Sequence, residues 1–264
     1  MFNGAKLCGA LVVLVVTGWN IGNAAAQGIS VGSSASFTVG DGSVDLGCGD
    51  LSIGGSVTIG SGTFTTMRDV NVSAGALFLG SGSMSLSGDW TNSGTVSAGA
   101  GLVTFVDGCG TNTSNIAGDT DFYDFSAVTS GGRLLQLAAG STQTFGNSIT
   151  LQGSGADPLT IRSSSPGSET FFVLPEGATQ NILGVDVADN NADGGQTLAP
   201  VAPEDVDSVD TGNNSNWFIA MLPEIIAKPV TAIPLPGLLL LSGLLILLAR
   251  RYQRPVPTIE TMSP

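Results

Sequence analysis

From Phe37 to Phe105 the chain is built of short apolar pairs with a single residue between the partners. They are Phe37/Val39, Val44/Leu46, Leu51/Ile53, Val57/Ile59, Val70/Val72, Leu77/Leu79, Met84/Leu86 and Val103/Phe105. Neighbouring pairs lie six or seven residues apart, except where Phe64, Trp90 or Val96 fills the gap singly. A spacing of two puts both partners on one face of an extended strand. The Gly and Ser residues between the pairs are turn formers. Three such steps make about 20 residues, and this longer period holds in register. Phe37, Val57, Leu77 and Val96 form one column with steps of 20, 20 and 19; Val44, Phe64, Met84 and Val103 form a second with the same steps. Leu51, Val70 and Trp90 form a third. A hairpin sandwich would give the alternation but no fixed column register. The pattern therefore predicts an all-β fold, a three-sided parallel β-solenoid whose stacked coils share one core.

Beyond residue 110 the repeat loosens. Phe122–Phe125, Leu134–Leu137, Gln143–Phe145, Ile149–Leu151, Leu159–Ile161 and Phe171–Leu174 still read as strands. Trp90, Phe122, Tyr123, Phe125 and Trp217 are expected in the core or the caps. Composition agrees with a turn-rich β protein: 38 Gly in 264 residues and only 11% charged residues, against about 25% in an average soluble protein.

Charge and chemistry narrow the function. Between Gln27 and Ala227 only Arg68, Arg133 and Arg162 are basic, against 20 acids, a net charge of −17. Such a surface repels nucleic acid, which needs clustered Lys and Arg. The chain has no His, which removes the commonest general base and the usual zinc ligand. Cys8 lies in the leader described below. Cys48 and Cys109 fall three coils apart, about 14 Å at a coil spacing of about 4.8 Å. A disulfide tolerates about 7 Å between Cα atoms, so this register predicts that they do not pair.

Both ends carry targeting patterns. Residues 1–26 have one Lys, an apolar run from Leu7 to Val16 and the small residues Ala24–Ala26. This predicts a secretory signal peptide cleaved between Ala26 and Gln27. The ectodomain would span 27–219, followed by a Pro-rich linker over 220–236. From Val230 to Ala249 no residue is charged, but Pro234 and Pro236 break a helix. The predicted transmembrane helix is therefore 237–249. Arg250, Arg251 and Arg254 form a basic stop, and 250–264 is a cytoplasmic tail.

Two resemblances follow. Ile233-Pro234-Leu235-Pro236-Gly237, the apolar helix and the Arg cluster resemble the PEP-CTERM class of sorting signals, in its VPLPA-type variant. That implies processing by an exosortase-like membrane enzyme near Pro234 to Gly237, then transfer to the envelope or the extracellular matrix. Gly88–Val96, Val103–Phe105 and the ending Asp207–Phe218 resemble bacterial surface β-helix repeats. In those proteins a similar Asn-rich, Trp-containing stretch closes the last coil. This second resemblance implies a scaffold or adhesin-like role without shared chemistry.

One segment resembles the start of a calcium loop: Asp189, Asn191 and Asp193, with Gly194 at the sixth position. Position 12, where a bidentate Glu belongs, is Pro200, so the same residues also suit an Asx-rich turn. Calcium is the one cofactor considered, and no catalytic residues are assigned. The functional expectation is a non-enzymatic cell-surface or matrix protein. Its partners would be the secretion machinery, the sorting enzyme, the membrane and an envelope or extracellular polymer. The alternative is a carbohydrate-active β-helix enzyme, a polysaccharide lyase or hydrolase. Clustered carboxylates on adjacent coils would favour the enzyme, and a smooth Ser/Thr/Asn surface the structural protein.

Overall fold

The computed structural model describes residues 28–219. The segments expected to form a signal peptide, a linker, a sorting motif, a transmembrane helix and a basic tail all lie outside the described residues.

The described chain is a parallel β-solenoid of about eight turns with no α-helix among its elements. Its first coil holds β1 (Ile29–Val31), β2 (Ser36–Thr38) and β3 (Ser43–Asp45). The second holds β4 (Leu51–Ile53), β5 (Ser56–Thr58) and β6 (Thr63–Met67). The third holds β7 (Val70–Val72), β8 (Ala76–Phe78) and β9 (Ser83–Leu86), and the fourth β10 (Trp90–Asn92), β11 (Thr95–Ser97) and β12 (Leu102–Val106). Each strand pairs in parallel with its equivalent one coil on, through N–H and C=O groups that point along the solenoid axis.

All three predicted columns are present residue for residue. Phe37 pairs with Val57, Val57 with Leu77 and Leu77 with Val96. Val44 pairs with Phe64, Phe64 with Met84 and Met84 with Val103. Leu51 pairs with Val70 and Val70 with Trp90. Val57, Leu77, Phe64, Leu51 and Trp90 are fully buried, because each inward side chain is roofed by its column neighbours.

The corners impose glycine. Gly40, Gly60, Gly80 and Gly99 stack with φ between +58° and +76°, a region costly for residues with a Cβ. A Cβ on Gly80 would also lie 2.4 Å from the Gly60 carbonyl oxygen, and one on Gly99 2.3 Å from that of Gly80. Conformation and close stacking thus demand the same residue.

After the fourth coil the three separate sides become two ribbons. β13 (Thr113–Ala117), β15 (Arg133–Leu137), β17 (Leu159–Ser163), β20 (Val185–Ala188) and β22 (Val209–Gly212) continue the side that β1 began. Opposite them, β14 (Thr120–Val128) and β16 (Thr142–Gln152) run through what had been a corner. The corner survives only as a register shift between Phe122 and Asp124, which keeps both Phe122 and Phe125 inward. β16 then pairs with two shorter strands, β18 (Thr170–Val173) and β19 (Thr179–Leu183). These coils are longer, with Leu135 opposite Ile161, 26 residues on, and their core is aromatic. Ring centroids follow one another at 5.3 Å for Trp90–Phe122, 5.1 Å for Phe125–Phe145, 5.1 Å for Phe145–Phe172 and 6.2 Å for Phe172–Trp217. Trp90, Phe122, Phe125 and Trp217 are core residues, whereas Tyr123 is half-buried on the outer face.

The two ends differ. The last coil, with β21 (Asn190–Asn191), is closed by its own tail. Asn214 accepts from the Asn190 N–H at 3.0 Å and donates to the Val187 carbonyl at 2.9 Å. Asn216 donates to the Ala192 and Gly195 carbonyls. The Trp217 indole donates to Asn190 at 2.7 Å. The Asn-rich stretch thus satisfies open backbone groups of the last coil. At the other end β1, β2 and β3 are each the terminal strand of their sheet, with no cap among the described residues.

Candidate functional sites

Of the residues singled out in sequence, Ala26, Gln27, Ile233 to Gly237, Arg250, Arg251 and Arg254 lie outside the described residues. The calcium-loop residues do not. Asp189 sits at a corner with φ +59°, and its carboxylate accepts from the Asn213 amide at 2.7 Å. The Asn191 side-chain oxygen accepts from the Asp193 N–H at 2.8 Å, an Asx turn, and its amide donates to Glu169 at 3.2 Å. Asp193 is exposed. The oxygens of Asp189 and Asn191 thus serve the last coil's own backbone and amides. Among the described residues no three His, Cys, Asp or Glu side chains are grouped to hold a metal ion.

The acidic side chains show a recurrent device that the sequence did not announce. A carboxylate on one coil accepts from a backbone N–H on the next. Asp69 accepts from Asp89 N–H at 2.8 Å, Asp89 from Asn115 N–H at 2.7 Å, Asp107 from Ser130 N–H at 2.8 Å and Asp119 from Thr142 N–H at 2.8 Å. The donors of Asp89 and Ser130 lie at corners, and those of Asn115 and Thr142 in β13 and β16; an orphaned donor in either place would cost free energy.

All three arginines among the described residues are engaged with carboxylates. Arg68 forms a surface pair with Asp50 at 2.8 Å and with Asp69 at 3.2 Å. Arg162 binds Asp186 at 2.7 Å. Arg133 is the buried one. It donates to the Ser87 carbonyl at 2.8 Å, the Ser114 hydroxyl at 2.7 Å, the Val106 carbonyl at 2.6 Å and the Thr111 carbonyl at 3.2 Å. Its charge is balanced by Asp107 at 3.6 Å. Burial lowers the Arg133 pKa, against the opposing pull of Asp107. Burial pushes Asp107 upward in turn, but the Ser130 N–H, neighbouring hydroxyls and the Arg133 charge together hold it below the usual carboxylate range.

Arg133 grips a loop that overturns one expectation. Cys48 and Cys109 are disulfide-bonded, with Cα atoms 5.4 Å apart. The columns that placed them three coils apart are correct, since β12 lies three strand steps from β3. What fails is the assumption that residue 109 keeps to the coil path. Trp90 pairs with Ile116, 26 residues on rather than 20. The surplus forms a loop over residues 107–112, closed by the Thr111 N–H donating to Gly108. This loop runs down the outside of the solenoid. A Cβ on Gly108 would lie 3.7 Å from Ser87, one coil down, and the Cys109 sulfur is 3.9 Å from the Met67 carbonyl, two coils down. The next step reaches Cys48. The signal available in sequence was the overlong interval after Trp90, with Gly on either side of Cys109.

Two outward columns of this acidic solenoid are neutral, and its surface depressions are shallow. Outward columns include Ser30, Ser52, Asn71 and Thr91 on the first side. Ser85, Thr104, Ser126, Thr150 and Asn181 form another on the third. A shallow depression of about 430 Å³ runs over Ser34, Gly55, Gly75 and Thr95, and one of about 260 Å³ over Asn112, Gly132 and Asp157.

The fold and these contacts define a disulfide-stapled, acidic parallel β-solenoid. No protein-family model, curated protein or solved structure matches the chain.

Proposed function

We propose that this protein is an exported structural or adhesin-like component of the cell surface or extracellular matrix. Its solenoid is displayed outside, on a C-terminal segment that is either retained as a membrane anchor or processed by an exosortase-like enzyme. The observation that carries the reading is the Cys48–Cys109 disulfide, because structural disulfides persist in oxidising, extracytoplasmic compartments. The hydroxyl- and amide-covered columns favour a scaffold surface over a catalytic groove. The three arginines support the same reading, since each is held by a carboxylate and none stands free as a base.

The carbohydrate-active alternative has one observation in its favour: Asp50, Asp69 and Asp89 occupy successive coils at the same corner. Asp69 and Asp89 accept backbone N–H groups there and Asp50 holds Arg68, contacts that serve stacking rather than acid–base work.

Intact mass of the protein recovered from cells and from medium tests the proposal. A released species from Gln27 to about Pro234 supports processing by a sorting enzyme. A species from Gln27 to Pro264 confined to membranes supports the permanent anchor. A full-length, reduced chain in the cytoplasm refutes export.

A further inference from the structure

The first coil carries an unusual combination. It is the terminal coil in all three sheets, it has no cap among the described residues, and it holds one half of the disulfide. Terminal repeats of a solenoid lack a neighbour on one side and fray unless capped. At the far end that problem is met by the Asn214, Asn216 and Trp217 contacts. At the near end, each strand of the first coil spans three residues. Its ties to the second coil include the amides of Val39, Leu46 and Cys48, which donate to Thr58, Thr65 and Thr66. The Cys109 loop reaches across the third and second coils to take hold at Cys48. It is itself gripped from above by Arg133, through the carbonyls of Val106 and Thr111.

We infer that the Cys48–Cys109 bond is a redox-operated latch on a first coil that has no cap among the described residues: the coil is frayed while the two thiols are reduced and locked once they are joined. The latch stands on the geometry alone and goes beyond the export reading, which bears only on where the oxidant is met. Closure is thiol–disulfide exchange with a disulfide-bearing oxidant. One thiolate attacks the oxidant's disulfide and forms a mixed disulfide, and the second displaces it. The Sγ–Sγ bond forms, the oxidant's S–S bond breaks, and two electrons and two protons leave on its pair of thiols. In the folded chain the sulfurs meet because the loop after β12 descends past the third and second coils, so the closed bond ties the fourth coil to the first.

Hydrogen exchange of the full-length purified protein, oxidised and after phosphine reduction, tests this. Mass spectrometry would follow peptides covering 36–48, with peptides covering 145–187 as reference. On reduction the amides of Val39, Leu46 and Cys48 should exchange at least about tenfold faster, while the reference peptides stay unchanged. The double variant Cys48→Ser/Cys109→Ser should reproduce the reduced pattern and ignore the reductant. Unchanged protection of 36–48 on reduction would overturn the latch. So would loss of protection along the whole solenoid, which would make the bond a global staple instead. A thiol count on the protein as isolated separates the two readings. Free thiols at both Cys48 and Cys109 would contradict the oxidising compartment, whereas the exchange arms judge the latch wherever the chain resides.

Discussion

Replacing Arg133 by Met keeps an unbranched side chain of similar reach and removes every donor of the guanidinium. Four acceptors lose their partner: the Ser87 carbonyl, the Ser114 hydroxyl, and the Val106 and Thr111 carbonyls. Ser87 and Ser114 are 1% and 0% exposed, so water does not replace the donor there. A buried polar atom left unsatisfied costs about 1–3 kcal/mol, so these two set a loss of roughly 2–6 kcal/mol. Val106 precedes the exposed loop and Thr111 lies in it, so both carbonyls rehydrate at little further cost. Asp107 is 39% exposed, and solvent screens its lost partner as well. The expected loss is therefore about 3–5 kcal/mol, the range for breaking a buried charged group out of its contacts. Lys at the same position supplies three donors from one point and restores at most part of it. The assay is urea unfolding followed by fluorescence of Trp90 and Trp217, comparing midpoints at equal slope. A loss below about 1 kcal/mol for Met would mean that the carbonyls are hydrated in the parent, and would refute the burial argument.

Three further outcomes are expected. Phe145→Ala removes a fully buried ring packed on Phe122, Phe125 and Phe172. It should cost about 3–5 kcal/mol by the same unfolding assay, with Phe145→Leu well below that. Gly80→Ala meets both a φ of +66° and a carbonyl at 2.4 Å, whereas Gly140→Ala meets a φ of +78° with nothing within 4 Å. Thermal melts should show Gly80→Ala as clearly worse than the roughly 1–2 kcal/mol of conformational cost in Gly140→Ala. Asp107 is held below its ordinary pKa. Its contribution is therefore complete above the unfolded value of about 3.9 and is lost as pH falls through the lower folded value. The stability difference between parent and Asp107→Asn should be flat from pH 7 to about 5 and shrink below about 4. A difference that grows on acidification would reverse the sign assigned here.

The first four coils were legible in sequence because each is bounded by the same physical requirements. An inward pair two residues apart and a corner glycine with positive φ recur every 19 or 20 residues, so Phe37, Val57, Leu77 and Val96 align without a structure. The later coils were legible only as strands. β14 and β16 run through a corner on a register shift, with only Asp124 in Phe122–Phe125 to mark it. Gly146, which does lie at that shift, reads in sequence as an ordinary break between two strands. The disulfide was misread because a periodic pattern locates residues on the coil path and says nothing of a loop that leaves it. Arg133 was visible only as one of three scattered bases. Its role depends on Ser87 and Val106, 46 and 27 residues away, contacts set by the same loop.

The matched corners Gly60-Ser61-Gly62 and Gly80-Ser81-Gly82 make the second and third coils nearly interchangeable at their seams. In a gene, such seams invite unequal recombination, and loss of residues 61–80 would splice one corner onto its equivalent with the core columns still aligned. A solenoid of this kind can change height in whole steps. Here the staple between Cys48 and Cys109 counts those steps, because its loop descends a fixed number of coils and no other number brings the sulfurs together. The stretch best suited to lengthening or shortening by duplication is thus the one whose length is held constant, and this protein's N-terminal half has a gauge built across it.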